Sequence, residues 1–157
     1  MTMTHEMPMA ARRGLIDNYR RALKLADAIP LSLVQLAARI AVAHVFWQSA
    51  ETKLASWPVT LQLFAMEYRL PFLDPTVAAP LATAAEITGS LLVFLGLFAR
   101  FGTLILLGVV ATIQIFVYPQ NWAEHLLWAS LLLLVLARGA GIVSLDYVAN
   151  RLLGRGA

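Results

Sequence analysis

Apolar residues fall along this chain in four long runs, residues 28–50, 75–98, 101–118 and 122–137, separated by short polar or proline-marked breaks. A helix rises about 1.5 Å per residue, so a hydrocarbon layer of about 30 Å takes about 20 residues to cross; the fourth run is short by that measure. The pattern predicts an all-α, polytopic membrane protein: an antiparallel bundle of four transmembrane helices. Pro30 and Pro75 stand at the first turns of runs one and two, where a missing N–H costs nothing. The break Leu97-Phe98-Ala99-Arg100-Phe101-Gly102 is so tight that runs two and three must be antiparallel neighbours.

Two weaker amphipathic patterns lie on either side of run one. Over residues 11–26, Ile16, Tyr19 and Leu23 recur at helical spacing with Arg13, Arg20 and Lys24 off that line, which predicts a basic helix lying on a membrane surface. Residues 1–10 have no periodicity and are expected to be disordered. Trp57, Leu61, Phe64 and Tyr68 follow i, i+4, i+7, i+11 and predict an interfacial helix over 58–69, either a simple connector or a lid over the bundle. Beyond run four, Gly139-x-Gly141 breaks the helix and Ser144 is placed to cap a last short one. The expected organisation is a tail over 1–27, a membrane domain over 28–138 and a C-terminal segment over 139–157.

Composition supports this reading: 60% hydrophobic against 13% charged residues is too apolar a balance for a soluble bundle of 157 residues. There is no cysteine, so disulfides, thiolate metal sites and covalent haem attachment are outside its chemistry. Ala41-Val42-Ala43 has the form of a signal-peptidase site, but a long basic leader and an internal arginine predict a permanent helix instead. Arg12, Arg13, Arg20, Arg21, Lys24, Arg100, Arg138, Arg151 and Arg155 fall on one side of the runs, and only Lys53 and Arg69 on the other. The positive-inside rule then places both termini in the cytoplasm. A basic tail directly beside a span points to lipid rather than nucleic acid.

Candidate chemistry starts from Arg39, well inside run one. A charge near the bilayer centre costs about 2.5 to over 10 kcal/mol and persists only with a partner. The expected partner is Glu86, the one carboxylate in the interior of another run, since counting about 1.5 Å per residue from opposite sides puts both near mid-membrane. Gly89 and Ser90 would let a neighbouring backbone approach beside it. Gln35, Arg39, Phe46 and Lys53 share one side of helix one and His44, Gln48 and Glu51 another, which predicts a helix enclosed by its neighbours. By depth, His44, Gln48, Gln114 and His125 collect above the Arg39/Glu86 level and would form a polar pocket open to the outside.

Four readings of these residues stay open. Arg39 and Glu86 can be a structural ion pair, with the histidines bonded locally. Alternatively, the pocket can bind a quinone-like molecule from the lipid, with His44, Glu86 and His125 as candidate catalytic groups and Arg39, His44, Gln48, Gln114 and His125 as candidate binding groups. His44 and His125 can ligate a metal or a b-type haem, although they lack any ligand spacing. Finally, Glu86 can be the protonatable residue of a small proton-coupled transporter. The sequence has no phosphate loop, dinucleotide fingerprint, HExxH or nucleophile elbow.

Arg39 with Phe46 and Lys53-Leu54, Glu86 with Gly89, Gly96-Leu97-Phe98-Ala99-Arg100, and Gly139-x-Gly141-x-x-Ser144-Leu145-Asp146 together resemble the DoxX family over residues 38–147. The resemblance implies a four-span protein of the bacterial inner membrane. It also implies a role in a redox or metal and oxidative-stress system, since the family is named after a small subunit of a thiosulfate:quinone oxidoreductase. Some members resemble partners of oxidative-stress complexes or of machinery that modifies copper-binding peptides, so a second redox or peptide-modifying subunit is an expected partner. A non-catalytic anchor or assembly partner is the alternative. Ala50 and Ser90 stand where glycines are common in the family, and the stretch 118–128 with His125 resembles the subgroup linked to metal-binding peptides.

Overall fold

The structure is a computed structural model that describes the backbone of residues 9–154 and side chains from residue 16. The expected disorder of residues 1–10 lies, for the first eight, outside the described residues. The chain divides into two units, one up to residue 31 and one from residue 32 onward. In the first, helix α1 (Met9–Asp27) covers the predicted amphipathic stretch, with Ile16, Tyr19 and Leu23 all exposed.

The second unit is built of helices, with no strand among the described residues: α2 (Leu31–Ala55), α3 (Trp57–Leu63), α4 (Pro75–Leu95), α5 (Ala99–Thr112), α6 (Trp122–Arg138) and α7 (Leu145–Leu152). Among the described residues, three stretches are long and apolar enough to cross a membrane: α2, α4, and α5 with the turn that continues it to Val117. Helix α6 has 17 residues, the short fourth run of the sequence. The chain is thus a polytopic helical membrane protein. One core draws Val42 and Phe46 from α2, Val93 from α4, Leu106 and Val110 from α5 and Leu132 from α6.

Helices α4 and α5 approach most closely, as their tight connection requires. Gly89 and Gly102 face each other there; a Cβ on Gly89 would stand 3.3 Å from the Gly102 carbonyl oxygen and 2.6 Å from Leu106. Helix α2 meets its neighbours differently, through long side chains. Gln35, Arg39, Phe46 and Lys53 are buried along one side, while His44, Trp47, Gln48 and Glu51 are exposed along the other. The second polar stripe therefore does not enclose α2 in the bundle; it leaves one face open.

The stretch expected as an interfacial helix forms α3 and a π-helical turn, Phe64–Tyr68. Phe64 packs with Ala78 and Ala79 of α4, under Trp57, Leu61, Tyr68, Leu70 and Leu73. A second π-helical turn, Ile113–Val117, ends α5 against the first. Such turns widen a helix locally and recur at functional sites. Asp74 caps α4 by accepting from the Thr76 N–H at 2.9 Å and hydroxyl at 2.6 Å, and these bonds hold its carboxyl below the usual range.

Candidate functional site

Glu86 is paired with Lys53, not with Arg39. The Lys53 ammonium donates to both Glu86 oxygens at 2.9 Å and to the Ser49 hydroxyl at 2.7 Å, and Ser49 donates in turn to Glu86 at 3.2 Å. All three ammonium protons are therefore placed, and the group carries no net charge. Thr60 of α3 donates to the Lys53 carbonyl at 2.7 Å, tying the end of α2 to the segment above it.

This neutral pair lies in the wall of a cavity of about 510 Å³. Phe46, Phe64, Tyr68 and Trp128 supply aromatic walls, and His125 enters from α6. The His125 ring is oriented by a chain of two bonds. Gln114 donates its amide N–H to the Pro119 carbonyl at 2.8 Å, which turns its Oε1 toward His125 Nδ1, 2.6 Å away. Since Oε1 only accepts, Nδ1 carries the proton, and a neutral ring keeps Nε2 as its acceptor. Of the four residues that depth collects, Gln114 and His125 are in contact; the Trp128 ring lies beside His125, tilted by 49° with ring centroids 5.3 Å apart.

Both π-helical turns line the cavity, through Phe64 and Tyr68 of the first and Ile113 and Val117 of the second. Tyr68 sets its ring edge against Tyr118 at 5.9 Å, and the Tyr118 hydroxyl donates to Glu67. That bond, and then partial burial, raise the Tyr118 phenol above its ordinary range; burial foremost raises Tyr68.

Arg39 is used at the opposite end, the basic end that bears Arg100 and Arg138. Its guanidinium donates to four main-chain carbonyls: Val93 at 2.8 Å, Phe94 at 2.5 Å, Ala140 at 2.9 Å and Val143 at 2.6 Å. Val93 and Phe94 are in the last turn of α4, where the Gly96 N–H also reaches the Val93 carbonyl at 3.2 Å, so the arginine adds to the cap of α4 and fastens the 139–144 loop to it. Gly96 follows at φ 64°, and a Cβ there would come within 2.7 Å of the guanidinium. Gln35 donates to the carbonyls of Arg138 and Gly139, both at 2.9 Å. Asp146 closes the other side, accepting from the N–H groups of Phe98 and Ala99 that open α5, at 2.8 and 3.0 Å.

The expected Arg39/Glu86 pair therefore fails on height. Seven residues of α4, about 10 Å, separate Glu86 from Val93. The helices do not begin and end level: α3 is tied over the end of α2, and Lys53 rather than Arg39 stands opposite Glu86. His44 and Gln48 do not join the site either. Both are exposed, and His44 lines a separate groove with Ile40, Trp47, Ser90, Leu91 and Phe94. His44 and His125 thus face different cavities, so they do not converge on one metal or haem; among the described residues no three His, Asp or Glu side chains converge either. Ser49, Lys53, Tyr68 and Tyr118 are site residues that the sequence reading missed. Lys53 had a signal, its place on the buried stripe with Gln35 and Arg39.

Comparison with known proteins gives one positive result: residues 34–119 match the family described as DoxX. No curated protein and no solved structure matches the chain significantly. The match covers α2, α3, α4 and α5, with Arg39, Lys53, Glu86 and the α4–α5 turn inside it. Spanning more than half of a polytopic helical chain, it establishes that this protein belongs to the DoxX family.

Proposed function

We propose that this protein is a four-span membrane component of a redox or metal-stress system, and that its cavity binds the ring of a quinone or quinol. The observation that carries the reading is His125: a ring fixed through Nδ1 by Gln114, with Nε2 left as an acceptor in the wall of an aromatic-lined cavity. A quinol hydroxyl can donate to that nitrogen, and the flat ring can rest against Trp128, Phe46 or Phe64. The Lys53/Glu86 pair, internally neutralised, suits a neutral ligand better than an ion. Family membership favours a redox or stress context and a location in the bacterial inner membrane, with both termini cytoplasmic by the charge distribution.

A soluble quinol analogue tests this. It is expected to raise the melting temperature of the purified protein, with His125→Ala weakening binding at least tenfold. No shift with the unaltered protein would overturn the reading.

A second reading, assembly with another membrane subunit, has its own support in the open face of α2. His44 and Gln48 face outward near the middle of a membrane-length helix, where polar side chains need partners. Because the chain has no cysteine, Gln48→Cys provides a unique cross-linking site. Cross-linking in native membranes to a redox or peptide-modifying subunit is the expected result; capture of lipid alone would count against it.

A further inference from the structure

The two helices that wall the cavity are closed at one level and open at another. At Gly89 and Gly102 the backbones of α4 and α5 touch, and no side chain fits between them. Towards the start of α4, Ala85 and Leu81 lie four and eight residues from Gly89, about 6 and 12 Å. Gly108 lies six residues beyond Gly102 on α5, about 9 Å, and so falls between them in height. All three line the cavity. Leu81 is also 56% exposed, Gly108 is exposed, and a Cβ on Gly108 would meet nothing within 4 Å. Residues that line a cavity and also face outward stand at the edge of an opening, and on a membrane-length helix pair that opening faces hydrocarbon.

We infer that the gap between Leu81 and Ala85 on one side and Gly108 on the other is a lateral portal, through which an amphiphile with an apolar tail passes from the lipid, its ring inside and its tail between α4 and α5. This rests on the proposed ring site and adds to it the class of ligand: a ring carrying an isoprenoid or alkyl chain, rather than a water-soluble aromatic. The portal has an apolar rim, so the tail stays in hydrocarbon while only the ring reaches His125. Gly108 is the specificity-determining residue, because any larger side chain there stands in the open space.

The test compares two quinones, one without a tail and one with a ten-carbon tail, binding to the purified full chain in lipid nanodiscs. The unaltered protein should bind the tailed quinone at least tenfold more tightly. Gly108→Phe should weaken the tailed quinone at least tenfold and leave the tailless one within about twofold. Leu81→Trp, placed on the opposite side of the gap, should act in the same direction; the melting temperature without ligand reports whether each variant is folded. Unchanged binding of both quinones in both folded variants would overturn the portal. Equal loss of both would place Gly108 within the ring site and also overturn it. If the unaltered protein bound the tailless quinone but gained nothing from the tail, the ring site would stand and the portal would fall; binding of neither would remove the ring site itself.

Discussion

The two ends of the membrane domain handle buried charge in opposite ways. At the basic end, Arg39 is spread over four main-chain carbonyls and Asp146 over two main-chain N–H groups, so ionised side chains complete the ends of helices. Toward the other end, Lys53 and Glu86 neutralise each other beside open space. The first arrangement has no room for a ligand, since its donors and acceptors are consumed by backbone and a glycine is needed at residue 96 to clear the guanidinium. The second leaves a cavity, with His125 in its wall. A charged residue inside a membrane helix is thus a poor guide to function until its partner is known.

That contrast can be broken first at its strongest point. Arg39→Ala removes the shared donor from two carbonyls at the end of α4 and two in the 139–144 loop, and should destabilise the protein by about 4 kcal/mol or more, with loss of folded material in mild detergent. Arg39→Lys should recover only part, because an ammonium cannot reproduce the planar fork. Yield and unfolding in mixed micelles check both.

Next in size is the cavity pair. Lys53→Met or Glu86→Gln alone should cost about 3 kcal/mol by leaving a partner unpaired, while the combined Lys53→Met, Glu86→Leu variant should recover most of that loss. Equal cost for single and combined changes would mean that the pair does not act as a unit. Asp146→Ala should cost about 1–2 kcal/mol through the uncapped start of α5, with Asp146→Asn milder because an amide oxygen still accepts.

The smallest effect concerns Tyr118, in the cavity wall. The Tyr118 phenol is raised, so its bond to Glu67 contributes below the ordinary tyrosine value of about 10 and is lost as pH rises through the higher folded value. Tyr118→Phe should lose that modest contribution at neutral pH, where the bond is made, and with it the alkaline decline. Melting temperatures between neutral and strongly alkaline pH would reveal it.

Much of the architecture was legible because it follows from local rules. Proline-marked starts, apolar length and the Ser144 cap placed α2, α4, α5, α6 and α7 to within a few residues, and Ser144 does accept from the Tyr147 N–H. Gly89 beside Glu86 correctly signalled a close helix approach. The site was legible only in pieces. Gln114 and His125 come together because a short turn fixes α6 against α5. Lys53 was displaced in the sequence reading by Arg39, because the periodicity that put both on one buried stripe says nothing about relative height. Height depends on where α3 turns back over α2, a tertiary fact set by Phe64 packing against Ala78 and Ala79. The motif around Gly139 and Asp146 was visible as a pattern, and its role in capping α4 and α5 only in three dimensions.

The most direct test of this division is a pair of double-mutant cycles sharing Glu86, measured by unfolding in mixed micelles. Lys53 with Glu86 should couple by about 1–3 kcal/mol, as contacting charged residues do, and Arg39 with Glu86 by no more than about 0.5 kcal/mol. Strong coupling of Arg39 to Glu86, with none for Lys53, would contradict the account.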